Sequence, residues 1–267
     1  MIEAILQYSF LQRALAAGLF IALACAVLGV FLLLRKDAMI GHGLSHVAFA
    51  GVALGLLVGW MPLLSALAVS IAGALAIMKL KETAGLHGDT AIAIFSSVGL
   101  AVGVILASVS GRFNVALFGY LFGDVLAIEP LEVGLSIGLA VLVIGLIAFL
   151  YPRFLFMTFD REAARVAGVP VRRLDALITV LAAVTIVLGM KIVGILMVAA
   201  LLVIPAAAGL QVARSFRGAV VGACTVAALS VTVGLGSAYA LDWPASGTIV
   251  LTAFLLFGVL FLFRRRS

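Results

Sequence analysis

Three observations predict an all-α fold for this chain, a polytopic membrane protein of about eight or nine transmembrane helices. Hydrophobic residues make up 66% of the 267 and charged ones only 10%, with a mean hydropathy of +1.36, where a soluble domain carries roughly 25% charge. The apolar residues gather into runs of about 20, the number a helix needs to cross a hydrocarbon core about 30 Å thick. The 17 Lys and Arg residues stand between those runs. Eight or nine such spans use most of the length, so residues 1–267 are expected to form one transmembrane domain with no sizeable soluble part.

Taken in order, the first span is expected over 14–34 and closes on Arg35 and Lys36. Ahead of it stand Glu3 and no basic region, so no cleavable secretory signal is expected. The second, 40–60, opens on Gly41-His-Gly-Leu-Ser-His46 and contains no acidic residue. The third, 63–79, closes on Lys79 and Lys81, and the fourth occupies 90–109. Asp89 or Thr90 can cap a helix beginning at Ala91 by accepting from a free backbone amide; His87, just before, is assigned to the cytoplasmic surface. Residues 113–128 are too short, and too interrupted by Gly119 and Gly123, to span, so a re-entrant or interfacial hairpin is expected there. The fifth span follows at 133–151. In the long connection 152–173, Asp160 can cap a short helix running through Ala167, which Gly168 and Pro170 stop. Spans at 174–190, 192–212, 218–240 and 247–263 complete the set, with Pro205 expected to kink the seventh by removing a backbone donor.

The charges orient these spans. With the N-terminus outside, Arg35, Lys36, Lys79, Lys81, Arg153, Arg161, Arg165, Arg172, Arg173, Arg214, Arg217 and Arg264 to Arg266 lie inside, leaving Arg13, Arg112 and Lys191 outside. Fourteen against three is the asymmetry of the positive-inside rule. The net charge of +6 therefore reports membrane topology and calls for no nucleic-acid partner.

One polar feature stands inside the spans. All 11 acidic residues lie at or near span ends, as expected when a mid-bilayer charge costs on the order of 3 kcal/mol. His42 and His46, however, are four residues apart, which in a helix places them on one face. Imidazole ligates zinc and other transition metals, so a metal-ion path is the sharp reading; neutral rings hydrogen-bonded to backbone or to Ser45 are the bland one. Zinc takes about four ligands, and one helix supplies two. A homodimer with its two-fold axis beside this helix would supply four. Gly41, Gly43, Ala48, Ala50, Gly51, Ala53 and Gly55 would let such helices approach closely, or would serve packing within one subunit. Cys25 and Cys224 are single residues in apolar runs and read as buried structural thiols.

The ordered motifs resemble the permease subunit of the zinc/manganese/iron type of bacterial ABC importers, most closely its zinc-uptake branch. The resemblance covers nearly the whole chain: Gly41-His-Gly-Leu-Ser-His46 with Gly51-Val-Ala-Leu-Gly55, Asp89-Thr-Ala-Ile92, Tyr120-Leu-Phe-Gly-Asp-Val-Leu-Ala127, Phe159-Asp-Arg-Glu162, Met190-Lys-Ile-Val-Gly194 leading to Leu202-Val-Ile-Pro-Ala-Ala207, and Trp243-Pro-Ala-Ser-Gly247. It implies two permease copies in the bacterial cytoplasmic membrane, a pair of cytoplasmic ABC ATPase subunits and an extracytoplasmic metal-binding protein that delivers the ion. The coupling helix of such permeases is matched near 159–170, at Asp160, Glu162 and Gly168. In the family the metal-path motif reads Asp, three residues, His; this chain keeps His46 but carries His42 in place of the aspartate. An all-imidazole pair tilts the cargo toward Zn2+, with Mn2+ or Fe2+ as alternatives.

The chain itself is expected to hydrolyse nothing. None of its four lysines completes a Gly-Lys-Ser/Thr phosphate loop, so ATP belongs to a partner subunit. An intramembrane metalloenzyme would want Glu directly after the first His, where Gly43 stands. A secondary transporter would want carboxylates within the spans. On the outer face, Asp124 and Asp242 are candidates for receiving the cation, or for turn and helix-end roles.

Overall fold

The computed structural model describes residues 8–83, 88–110, 115–124 and 128–264. Their regular structure is helical: α1 (Ser9–Leu34), α2 (Ile40–Val58), α3 (Pro62–Thr83), α4 (Gly88–Val109), α5 (Val115–Phe122), α6 (Pro130–Phe149), α7 (Tyr151–Phe159), α8 (Arg161–Val166), α9 (Val171–Val193), α10 (Ile195–Val212), α11 (Phe216–Leu241) and α12 (Ala245–Arg264). Eight of them, α1 to α4, α6, α9, α11 and α12, are long and apolar enough to cross a membrane. With α10, an apolar helix of 18 residues, they account for the eight or nine expected. His87, Arg112, Arg265 and Arg266 lie outside the described residues.

The core sits around α1, which is buried almost continuously from Cys25 to Leu32 and packs on α6, α9, α10 and α11. In a membrane helices associate largely through van der Waals packing, which small residues favour by letting backbones approach closely. A Cβ on Gly29 would run into the Leu202 carbonyl oxygen; α1 and α10 thus touch backbone to backbone. The small residues of α2 are used in the same way. A Cβ on Gly51 would lie 2.6 Å from Ala66 Cα in α3, and Gly41 faces Ala199 of α10 at 3.7 Å. Of the two uses open for these residues, packing within one subunit is the one observed.

Four local expectations need adjustment. Helix α4 begins at Gly88, so Asp89 lies in its first turn and does not cap a start at Ala91. The break between the sixth and seventh spans is the single residue Gly194, not the neighbourhood of Lys191. Cys25 is fully buried, but Cys224 is only partly so. Finally, the connection after the fifth span is itself helical. Leu150 ends α6 and starts α7, whose Phe154 is buried in a cluster with Phe31 and Phe216 at ring-centroid distances of 5.7 Å (Phe31 to Phe154) and 4.9 Å (Phe31 to Phe216).

The short surface helix is observed as expected. Asp160 Oδ1 accepts from the Ala163 amide at 2.9 Å, starting α8, and Gly168 at φ +80 turns the chain toward α9. Helix α5, at eight residues, extends about 12 Å and does not span.

Candidate functional site

Helices α3, α4, α9 and α10, with the short α5, pack on α2 and leave one stripe open among the described residues. Helix α3 closes on it at Gly51, α10 at Gly41, and α4 at Gly99, whose Cβ would lie 2.9 Å from the Val47 amide nitrogen. Thirteen of its 19 residues are buried. The remaining side carries Met39, His42, His46, Leu54 and Leu57, with His42 exposed and His46 half-buried. The i, i+4 spacing therefore places both histidines on the face that the described residues leave most open.

Their Nε2 atoms stand 3.3 Å apart, with the rings edge to face at 88° and centroids 4.6 Å apart. This separation is a hydrogen bond when one ring donates. It is also the spacing a metal requires, because two nitrogens bound at about 2.0–2.1 Å to a tetrahedral ion lie about 3.3 Å apart. Ser45 is not their partner: its hydroxyl donates to the Gly41 carbonyl at 2.8 Å. Among the described residues no group of three or more His, Cys, Asp or Glu could hold a metal ion, so this face supplies two donors.

At the end assigned outside, Asp124 and Asp242 line one cavity of about 720 Å³, together with Phe122, Met197, Tyr239 and Trp243. Both also have architectural duties. Asp242 takes the left-handed position (φ 55) that ends α11, and the Asp124 amide donates to the Lys191 carbonyl at 2.9 Å. Lys191 Nζ in turn donates to Glu132 at 2.6 Å.

At the basic end, Asp160 and Glu162 begin α8 and Gly168 follows it. Arg165 pairs with Glu162 at 3.3 Å on the exposed face. Sequence reasoning passes over what lies beside them, a buried carboxylate, Asp175, bonded to both Arg35 and Arg161. The only local signal is an acid two residues after the Arg172-Arg173 pair, in the first turns of a span; its partner Arg35 is 140 residues away.

A bundle of membrane-crossing helices with paired imidazoles on one open face and a capped turn at its basic end defines a multi-pass membrane permease. The chain belongs to the ABC 3 transport family, whose profile matches residues 7–264. A permease subunit of this kind is not itself catalytic. The chain is 33% identical to the manganese transport system membrane protein MntC of Listeria monocytogenes, over 98% of this chain and 93% of that one. It is 33% identical to the high-affinity zinc uptake system membrane protein ZnuB of Haemophilus influenzae, over 97% and 98% respectively. Among solved structures it is similar to PsaBC from Streptococcus pneumoniae in complex with Fab, with a TM-score of 0.88 at 30% identity, covering 97% of this chain and 94% of that one.

Proposed function

We propose that this chain is the permease subunit of an ATP-driven importer that carries a divalent transition-metal ion, zinc first, across the cytoplasmic membrane. The observation that carries the reading is the 3.3 Å separation of the His42 and His46 Nε2 atoms on the open stripe of α2. A second copy facing this stripe across a two-fold axis brings four imidazoles to one ion, so the working unit is a homodimer. An ion in such a site is cargo, held loosely enough to leave again. Energy comes from a cytoplasmic ABC ATPase that docks on α8 around Asp160, Glu162 and Gly168, and the ion arrives from an extracytoplasmic metal-binding protein. Asp124 and Asp242, on the wall of the outer cavity, lie where a delivered cation would enter.

Manganese is the second reading, because relatives named for manganese and for zinc are equally similar to the chain. The donor set supports zinc, since imidazole suits the later metals and carboxylate and water suit manganese. The test is ATP-dependent uptake in proteoliposomes holding the permease, its ATPase and its delivery protein, comparing zinc with manganese. Zinc-selective uptake lost in both His42→Ala and His46→Ala supports the reading. Uptake retained in both variants returns the histidines to a structural role.

A further inference from the structure

The basic end of the bundle contains a chain of charges that metal passage by itself does not require. Arg161, the first residue of α8, donates to Asp175 Oδ2, and Arg35, at the C-terminal end of α1, donates to Oδ1. The Arg35 and Asp175 side chains are 7% and 8% exposed, and Arg161 is 52% exposed. Beyond Arg35, at 3.9 Å, lies Asp37, which accepts from Lys81 Nζ of α3 at 2.7 Å.

Asp37 belongs to the corner from which the histidine helix starts. Its amide donates to Leu32 O at 2.8 Å and its carbonyl accepts from the Ile40 amide at 3.0 Å. Ile40 is the first residue of α2, and His42 stands two residues further on. Lys36 beside it holds a left-handed backbone, φ 60, which makes the corner a defined turn. At the other end of the path, α8 has six residues and buries only Ala164, so apolar packing fastens it weakly. Its tie to the bundle through Arg161 is correspondingly important.

Separating the buried Arg35 from Asp175 would strand a charge in a low-dielectric interior, so that pair moves as a unit, and the half-exposed Arg161 joins α8 to it through the carboxylate's other oxygen. Displacement of α8 is therefore passed to Asp175 on α9, to Arg35 at the end of α1, and to the corner that carries α2. Hydrogen-bonded and ion-paired networks that join rigid helices are one physical route by which distant sites are coupled.

We infer that Arg161, Asp175 and Arg35 are positioning residues that transmit movement of α8 to the start of the histidine helix. The inference rests on the importer reading above, in which α8 receives the ATPase. Asp175 is the joint, since each of its oxygens belongs to a different arm.

The test measures zinc uptake and ATP hydrolysis in the same proteoliposomes containing the complete complex. Arg161→Gln is the informative variant, because it removes one arm and leaves the buried Arg35 and Asp175 paired. Expected is a fall of about fivefold or more in ions carried per ATP hydrolysed. Arg161→Lys, which keeps the charge, restores most of the ratio. Asp175→Asn acts in the same direction, and combining it with Arg161→Gln adds little. An unchanged ratio in Arg161→Gln overturns the inference, as does a loss of uptake and hydrolysis in the same proportion. Uptake by the unaltered complex reports on the importer reading, whereas the ratio in the variants reports on the joint alone.

Discussion

Gly123 and Gly194 meet main chain to main chain: a Cβ on Gly194 would lie 2.7 Å from the Gly123 amide nitrogen, and one on Gly123 would lie 2.9 Å from that of Gly194. Both hold positive φ, +80 and +87. The contact seats the end of α5 in the break between α9 and α10, and the hydrogen bond from Asp124 N to Lys191 O closes it. Gly194→Ala meets two obstacles at once, a backbone region that L side chains avoid and a clash with rigid main chain. The expected cost is about 3 kcal/mol, read as a lowered midpoint of thermal unfolding in detergent. An unchanged midpoint would mean that α5 is not seated there.

The same outer end is held by Lys191 and Glu132, whose side chains are 23% and 19% exposed and 2.6 Å apart. Glu132 also closes a capping box with Glu129 at the start of α6, accepting from the Glu129 amide at 2.9 Å. A double-mutant cycle of Glu132→Gln and Lys191→Met is expected to give a coupling of about 1–2 kcal/mol. Additive effects of the two substitutions in the same unfolding assay would reduce the pair to a surface contact.

What the sequence makes legible here is whatever depends on near neighbours. Hydrophobic runs locate the spans, Asp160 and Gly168 bracket a short helix, and the four-residue spacing puts His42 and His46 on one face. What it leaves dark depends on distant partners. The chain breaks at Gly194 because Gly123 packs against it. Helix α7 is stable because Phe154 finds Phe31, and an aromatic, proline-containing stretch does not announce that contact. Glycines along α2 announce close approach but not to which helix. Asp175 reads as an ordinary acid at a span end until Arg35 is brought beside it.

The N-cap of α8 can be tested without any transport assay. Asp160 accepts from the Ala163 amide at 2.9 Å, and α8 is only six residues long, so loss of the cap should loosen the whole turn. Asp160→Ala is expected to cost about 1 kcal/mol locally, or roughly fivefold faster hydrogen exchange in α8. Exchange in α9 should stay unchanged. Equal acceleration in both helices would show that Asp160 supports the bundle at large and not the turn.

Cargo choice gives the sharpest test of the histidine pair. The motif resemblance implies an aspartate where this chain carries His42, and a carboxylate is the harder donor, better matched to manganese than imidazole is. His42→Asp keeps a ligand on the open stripe of α2 while changing its chemistry. The ratio of manganese to zinc uptake is expected to rise roughly tenfold, a shift of about 1.4 kcal/mol in relative preference. His42→Ala separates this from simple loss of a donor, because it should lower uptake of both ions without reversing their order. If His42→Asp leaves the ratio unchanged while His46→Ala abolishes uptake, the ion is selected at His46 and elsewhere, and His42 does no more than hydrogen-bond its neighbour.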